Sequence, residues 1–339
     1  MSQFHTYRHP SPFITEKGET IHGLEIAFHT HGKLNNEKSN AVWVCHALTA
    51  NSNAVEWWAG LVGEGCVINP EKHFIVCANL IGSCYGSTGP LSVNAQTGKP
   101  YYRSFPFLTI RDMVNAHRLL ATYLEVEGLH VLAGGSLGGQ QCIEWAVMEP
   151  DRIKQLFLIA TNAKQSAYGI AFNESQRMAI EADPTYFNDT PQGGANGLKV
   201  ARAFGLISYR SYAAYNASQA EDNNEVVDNF KASSYQRYQG EKLVARFNAY
   251  SYMVLNKLMD THNVGRNRGN IEKALAAVKA KTLIVGIDSD TKYPLEEQRY
   301  LAQYIPNSVF EVLESEFGHD AFLIETKKIT EIILKHLHV

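Results

Sequence analysis

Ser136, His319 and two aspartates, Asp288 and Asp290, are the residues of this 339-residue sequence whose types and order could work together on one bond. Ser136 stands in Gly134-Gly135-Ser136-Leu137-Gly138-Gly139, a G-x-S-x-G pattern. A serine hydroxyl is a weak nucleophile until a base takes its proton. An imidazole serves as that base when an acid fixes its tautomer and stabilises the cation that forms. The pattern needs glycine because the turn is sharp and the serine backbone strained, so a Cβ on either side would strike a neighbouring strand or helix. The hydroxyl is then held at a helix N-terminus whose amides face a developing oxyanion. A glycine-rich turn with an incidental serine has the same local pattern, so an acid and a histidine must come from elsewhere.

The elements that could position these groups read as strands alternating with helices. Leu24 to Thr30, Ala41 to Cys45, Phe74 to Ala78, His130 to Gly134, Gln155 to Ile159, Thr282 to Ile287 and Val309 to Leu313 read as strands. Ile110, Met113, Val114, His117 and Leu120 share one helical face, with Thr109 and Asp112 as a capping box at its start. Alternation of this kind predicts an α/β fold, a mostly parallel sheet with helices on both faces. From about Asn162 to Asn270 no strong strand pattern occurs. Helical periods run instead over Ile170 to Ala182, Gly197 to Ile207, Val226 to Phe230 and Tyr235 to Met259. The expected organisation is a core of residues 1–165 and 270–339 with a helical lid inserted at 166–269. The insertion is rich in tyrosine (Tyr209, Tyr212, Tyr215, Tyr235, Tyr238, Tyr250 and Tyr252), which fits either a subunit interface or helix-to-helix packing.

Composition excludes several classes. Hydrophobic residues make up 45% and charged residues 19%, an ordinary globular balance, and a net charge of -3 leaves no basic footprint for nucleic acid. No run of 18 apolar residues suggests a membrane span. Met1 to Pro12 is polar and does not read as a secretory signal. Five cysteines without C-x-x-C spacing point to a reducing cytoplasm, with Cys45, Cys77 and Cys142 as buried hydrophobes. No histidine or cysteine cluster has metal-ligand spacing, so neither a metal nor a resident cofactor is expected.

Serine follows one strand, an aspartate a later one and the histidine the last, which is the chain order of the α/β-hydrolase fold. Asp288 and Asp290 compete for the acid. Asp290 is preferred because Asp288 directly follows the apolar run and suits a loop cap. His46 also follows a buried strand and rivals His319. It precedes Ser136, however, in the segment that builds the oxyanion hole, where the Leu48 amide would donate beside the Leu137 amide.

Several stretches together resemble the homoserine O-acetyltransferase family. They are His46 to Thr49, Asn79 to Pro90 with its Gly82-Ser83-Cys84-Tyr85-Gly86 loop, Phe105 to Asp112, Gly134 to Gly139 with Glu144-Trp145, Gly286 to Asp290 with Tyr293-Pro294, and Gly318-His319-Asp320. The resemblance implies an α/β-hydrolase fold whose helical lid helps form a homodimer. It implies Ser136 as nucleophile, Asp290 as acid and His319 as base. It further implies Arg202 as partner of an amino acid's carboxylate, Asp320 as holder of its amino group, and Tyr209 as a wall of the site. Arg210 rivals Arg202 for the carboxylate. The implied activity is acetyl transfer from acetyl-CoA to the γ-hydroxyl of L-homoserine, in methionine biosynthesis. Alternatives are a succinyl donor, L-serine as acceptor, or a carboxylesterase or thioesterase. Ala50 and Ser83 stand where the family often has glycine.

Overall fold

The computed structural model describes residues 3–339. In chain order the elements are β1 (Gln3–Arg8), β2 (Phe13–Ile14), β3 (Thr20–Ile21), β4 (Glu25–His31), β5 (Ala41–Cys45), α1 (Ala54–Trp57), β6 (Phe74–Ala78), α2 (Ile110–Tyr123), β7 (Leu129–Gly135), α3 (Leu137–Met148) and β8 (Ile153–Ile159). Then come α4 (Ala167–Glu181), α5 (Ala195–Tyr209), α6 (Tyr212–Gln219), α7 (Lys231–Val244), α8 (Ala249–Asp260), α9 (Ile271–Leu275), β9 (Lys281–Ile287), α10 (Leu295–Tyr304), β10 (Ser308–Leu313), α11 (Ala321–Ile324) and α12 (Thr326–His336).

An eight-stranded sheet runs in the order β1-β4-β6-β5-β7-β8-β9-β10. Pairing is parallel from β6 to β10, while β4 and β1 add on antiparallel at one edge. β5 shows why the middle strands are apolar throughout. Ala41, Trp43 and Cys45 enter one core while Val42 and Val44 enter the other, and all five are buried. A strand buried on both faces reads as a continuous apolar run, as parallel sheets require. On one side Trp43 meets Trp145 of α3 edge-on at 5.2 Å; on the other, Trp58, Phe157, Ile329 and Ile333 pack together.

At the start of α2 the Thr109 side chain accepts from the Asp112 amide and the Asp112 carboxylate accepts from the Thr109 amide, so aspartate closes the capping box. Among the described residues, no helix is long and apolar enough to cross a membrane.

Two expected helices change, and two further elements carry no stated expectation. β1 was not anticipated because a two-sided, mostly exposed edge strand carries no hydrophobic face to signal it. Val226 to Phe230 is not a helix: Asp228 Oδ1 accepts the Asn229 amide at 2.7 Å, and Asn229 adopts φ 56°. Such a side-chain bond to the backbone competes with helix. The expected helix over Tyr235 to Met259 is two helices, because Asn248 takes a β conformation and caps α8 by accepting the Ser251 amide at 2.8 Å. At the end of the chain two helices, α11 and α12, meet at Glu325.

Between β8 and β9 the chain leaves the sheet and forms α4 to α9. The expected tyrosines divide in burial. Tyr250 and Tyr252 are buried among the helices, whereas Tyr212 and Tyr238 are exposed.

Candidate active site

β7 delivers Ser136 to the carboxyl edge of the sheet, and α3 starts at the next residue. Ser136 holds φ 55° and ψ −127°, a strained conformation for a residue with a Cβ. The surroundings fix it. Its amide donates to Ile159 O at 3.1 Å, and its carbonyl accepts the Thr161 hydroxyl at 2.9 Å. The flanking glycines are required by close approach. A Cβ on Gly138 would lie 2.1 Å from Cys45 O, and one on Gly134 would lie 2.5 Å from the Gly138 carbonyl carbon.

His319 Nε2 is 2.9 Å from Ser136 Oγ, and its Nδ1 is 2.7 Å from Asp290 Oδ2. Asp290 Oδ1 accepts the Lys292 and Tyr293 amides at 2.8 and 3.0 Å. All three side chains of this relay are buried. The two rivals have other tasks. Asp288 Oδ1 accepts the Ser315 amide at 2.9 Å and ties down the loop before His319. His46 is fully buried, with Nδ1 donating to Ala47 O at 2.9 Å and Nε2 accepting the Leu80 amide at 3.2 Å. Burial pulls its imidazole down to about 4, so it is neutral near pH 7.

Leu48 lines the cavity above Ser136 and Leu137 opens α3. Gln141, which the sequence did not single out, clamps these two segments. Its Nε2 donates to His46 O at 3.2 Å and to Leu137 O at 3.0 Å. Arg246, between α7 and α8, reaches the same loop, donating to Thr49 O and to Tyr85 Oη, both at 2.6 Å.

Above the relay lies a cavity of about 540 Å³ lined by Leu48, Ser136, His319 and Phe322 and by Arg202 and Tyr209 of α5 and Met259 of α8. Arg202, Tyr209 and Asp320 all reach this space. Arg210 does not line it. Its Nε pairs with Asp320 Oδ2 at 3.5 Å, and its guanidinium lies 5.0 Å from the centre of the Tyr235 ring. Asp320 thus faces the cavity with a partner already at its back. Burial raises its carboxyl above the usual range, with His319, Arg202 and Arg210 opposing. Lys292, also unflagged by the sequence, is buried in the cavity wall.

The pattern of the α/β hydrolase fold family matches residues 40–326. A homoserine O-acetyltransferase of Cyclobacterium marinum is 47% identical over 324 residues, spanning 96% of this chain and 92% of its own. The chain belongs to the homoserine O-acetyltransferase family. Within the homoserine O-acetyltransferase family, solved structures reproduce the architecture. The homoserine O-acetyltransferase of Staphylococcus aureus superposes with a TM-score of 0.82 at 28% identity, covering 100% of this chain and 97% of that one. Esterase E22 superposes with a TM-score of 0.91 at 22% identity over 100% of both chains, which is a likeness of fold.

Proposed function

We propose that the chain transfers an acetyl group from acetyl-CoA to the γ-hydroxyl of L-homoserine through an acyl-serine intermediate. The carrying observation is the hydrogen-bonded chain Ser136–His319–Asp290, which opens into a cavity whose lid wall supplies Arg202. Similarity to proteins named homoserine O-acetyltransferase supports the substrate assignment.

In the first half, His319 Nε2 takes the Ser136 proton as Oγ attacks the thioester carbonyl carbon. The oxyanion of the tetrahedral intermediate faces the Leu48 and Leu137 amides, where a single donor is worth about 100- to 1000-fold in rate. The carbon–sulfur bond breaks, and His319 returns the proton to the departing sulfur. In the second half, the homoserine γ-hydroxyl gives its proton to Nε2 and attacks the acyl carbon. Ser136 Oγ leaves with that proton. Asp290 holds the imidazole tautomer and balances its cation throughout.

Arg202 suits the acceptor's carboxylate because a guanidinium fork offers two parallel donors. Asp320 suits its ammonium, and Tyr209 forms a wall of the same cavity. The lid over Ser136 would keep water from the acyl-enzyme and hold the acceptor at high effective concentration. CoA is a substrate that leaves after the first half; the scheme needs no resident cofactor. The five unpaired cysteines suit a reducing compartment, the cytoplasm. Exposed apolar side chains on the lid helices, including Met178, Phe204, Ile207 and Tyr212, support a homodimer formed through the lid.

The test is release of CoA thiol, crossing acetyl-CoA and succinyl-CoA with L-homoserine, L-serine and no acceptor, with Ser136→Ala as blank. Release that needs both acetyl-CoA and L-homoserine supports the reading. Equal release without acceptor makes the protein a thioesterase.

A further inference from the structure

Lys292 is 3% exposed and lines the same cavity as Ser136 and Arg202. Its Nζ has no hydrogen-bond partner, although an ammonium has three donors to place. The amine lies against aromatic faces instead, 5.4 Å from the centre of the Tyr209 ring and 5.9 Å from that of Tyr293. The Arg202 guanidinium lies 5.8 Å from the centre of the same Tyr209 ring. Two cations therefore adjoin one aromatic wall.

The acids whose fields reach Lys292 are Asp290 and Asp260, and each is already engaged. Asp290 holds His319 and two backbone amides. Asp260 accepts the Asn173 amide group at 2.8 Å and pairs with Arg177 at 2.6 Å. Asp320, the acid on the cavity side, pairs with Arg210. The protein thus leaves a buried cation facing a substrate cavity without a carboxylate of its own.

We propose that Lys292 binds a carboxylate of the substrate, acting together with Arg202 beside the Tyr209 ring. An unpaired buried charge is expensive, and a carboxylate entering the cavity relieves that cost. Burial lowers the Lys292 ammonium to about 8, which keeps it mostly charged near pH 7 but poorly compensated. Its flexible four-carbon stem lets Nζ swing from the wall toward an incoming anion. This proposal rests on the acyl-transfer reading above. It adds a residue that tells a carboxylate-bearing substrate from one without. Two sources of carboxylate reach this cavity in that chemistry: the α-carboxylate of the amino-acid acceptor and the distal carboxylate of a dicarboxylic acyl donor.

The experiment compares ratios within each enzyme, so loss of folded protein cancels. Wild type, Lys292→Met and Lys292→Gln are assayed for kcat/KM with acetyl-CoA and either L-homoserine or 3-aminopropan-1-ol, the same acceptor without its carboxylate. A second arm replaces acetyl-CoA with succinyl-CoA at fixed acceptor. The backbone amide of Lys292 still holds Asp290 in both variants, so the change is confined to Nζ. The expected result is a fall of about 10- to 100-fold in the homoserine preference, the usual worth of a hydrogen bond to a charged group. It should appear chiefly in KM. A fall confined to the succinyl-CoA arm supports the proposal with the donor as the source of the carboxylate. Unchanged ratios in both arms, with lower rates for all substrates alike, overturn it and leave Lys292 a packing residue. If wild type transfers to neither acceptor, the acyl-transfer reading fails and takes this proposal with it.

Discussion

Asp290 Oδ2 lies 2.7 Å from His319 Nδ1, while Oδ1 of the same carboxylate is occupied by two backbone amides. The orientation of the carboxylate is therefore fixed, and with it the tautomer of His319. An amide at position 290 must keep its oxygen on the two backbone donors and would turn its NH2 toward Nδ1. The ring would then carry its proton on Nε2, the atom that must accept from Ser136. Asp290→Asn should lower kcat by about 10⁴-fold with little loss of fold. Asp288→Asn, which keeps an acceptor for Ser315, should leave kcat within about twofold. Steady-state kinetics of the two variants separate these roles. Equal losses would refute the assignment.

Gly318 joins the histidine loop to the lid. It adopts φ 66°, and a Cβ there would lie 2.6 Å from Ser211 N and 2.9 Å from Tyr209 O. Gly318→Ala should therefore destabilise the protein by about 1–3 kcal/mol and displace His319. Urea unfolding and kcat should both report the change. A variant of wild-type stability and rate would mean that the lid turn does not press on this loop.

Two buried histidines set a stability limit in mild acid. Burial lowers both His46 and His262 to about 4, and His262 Nε2 donates to Asn162 O at 2.8 Å. Their unfolded value is about 6.5. Between these values the unfolded chain binds the proton and the folded one does not, so stability falls as pH drops from about 6.5 toward 4. At pH 5 each histidine removes about 2 kcal/mol relative to pH 7. The His262→Asn variant should lose less stability than wild type between pH 7 and pH 5 in denaturant titrations. An unchanged loss would show that His262 is not the titrating group.

The lid should carry the subunit interface. Ile207 is 57% and Tyr212 86% exposed on neighbouring lid helices. Light scattering after gel filtration should give a dimer for wild type and a monomer for the Ile207→Asp/Tyr212→Asp double variant. A monomeric wild type removes the interface from the account.

The central strands were legible because each is buried on both faces and so reads as an apolar run: Ala41–Cys45 and Phe74–Ala78 carry no ambiguity. Ser136 and Asp290 were legible because each follows such a run; His319 follows the half-exposed edge strand β10 and was legible from its place after the last strand. The choice between Asp288 and Asp290 depended on which carboxylate turns inward, and that is fixed by amides two and three residues further on. Arg202 lies within α5 and Arg210 caps its C-terminus eight residues on, and the pairing of Arg210 with Asp320 separates their roles. Gln141 and Lys292 left no signal, since an amide in a helix and a lysine in a loop normally mark a solvated surface. The burial of both comes from segments far away in the chain.

The most direct measurement is the mass of the protein after mixing with acetyl-CoA alone and then with L-homoserine. The account predicts one acetyl group on the peptide containing Ser136, absent in Ser136→Ala, that L-homoserine discharges much faster than buffer does. An enzyme that never carries the acetyl group, or that loses it equally fast to water, would contradict acyl transfer through Ser136.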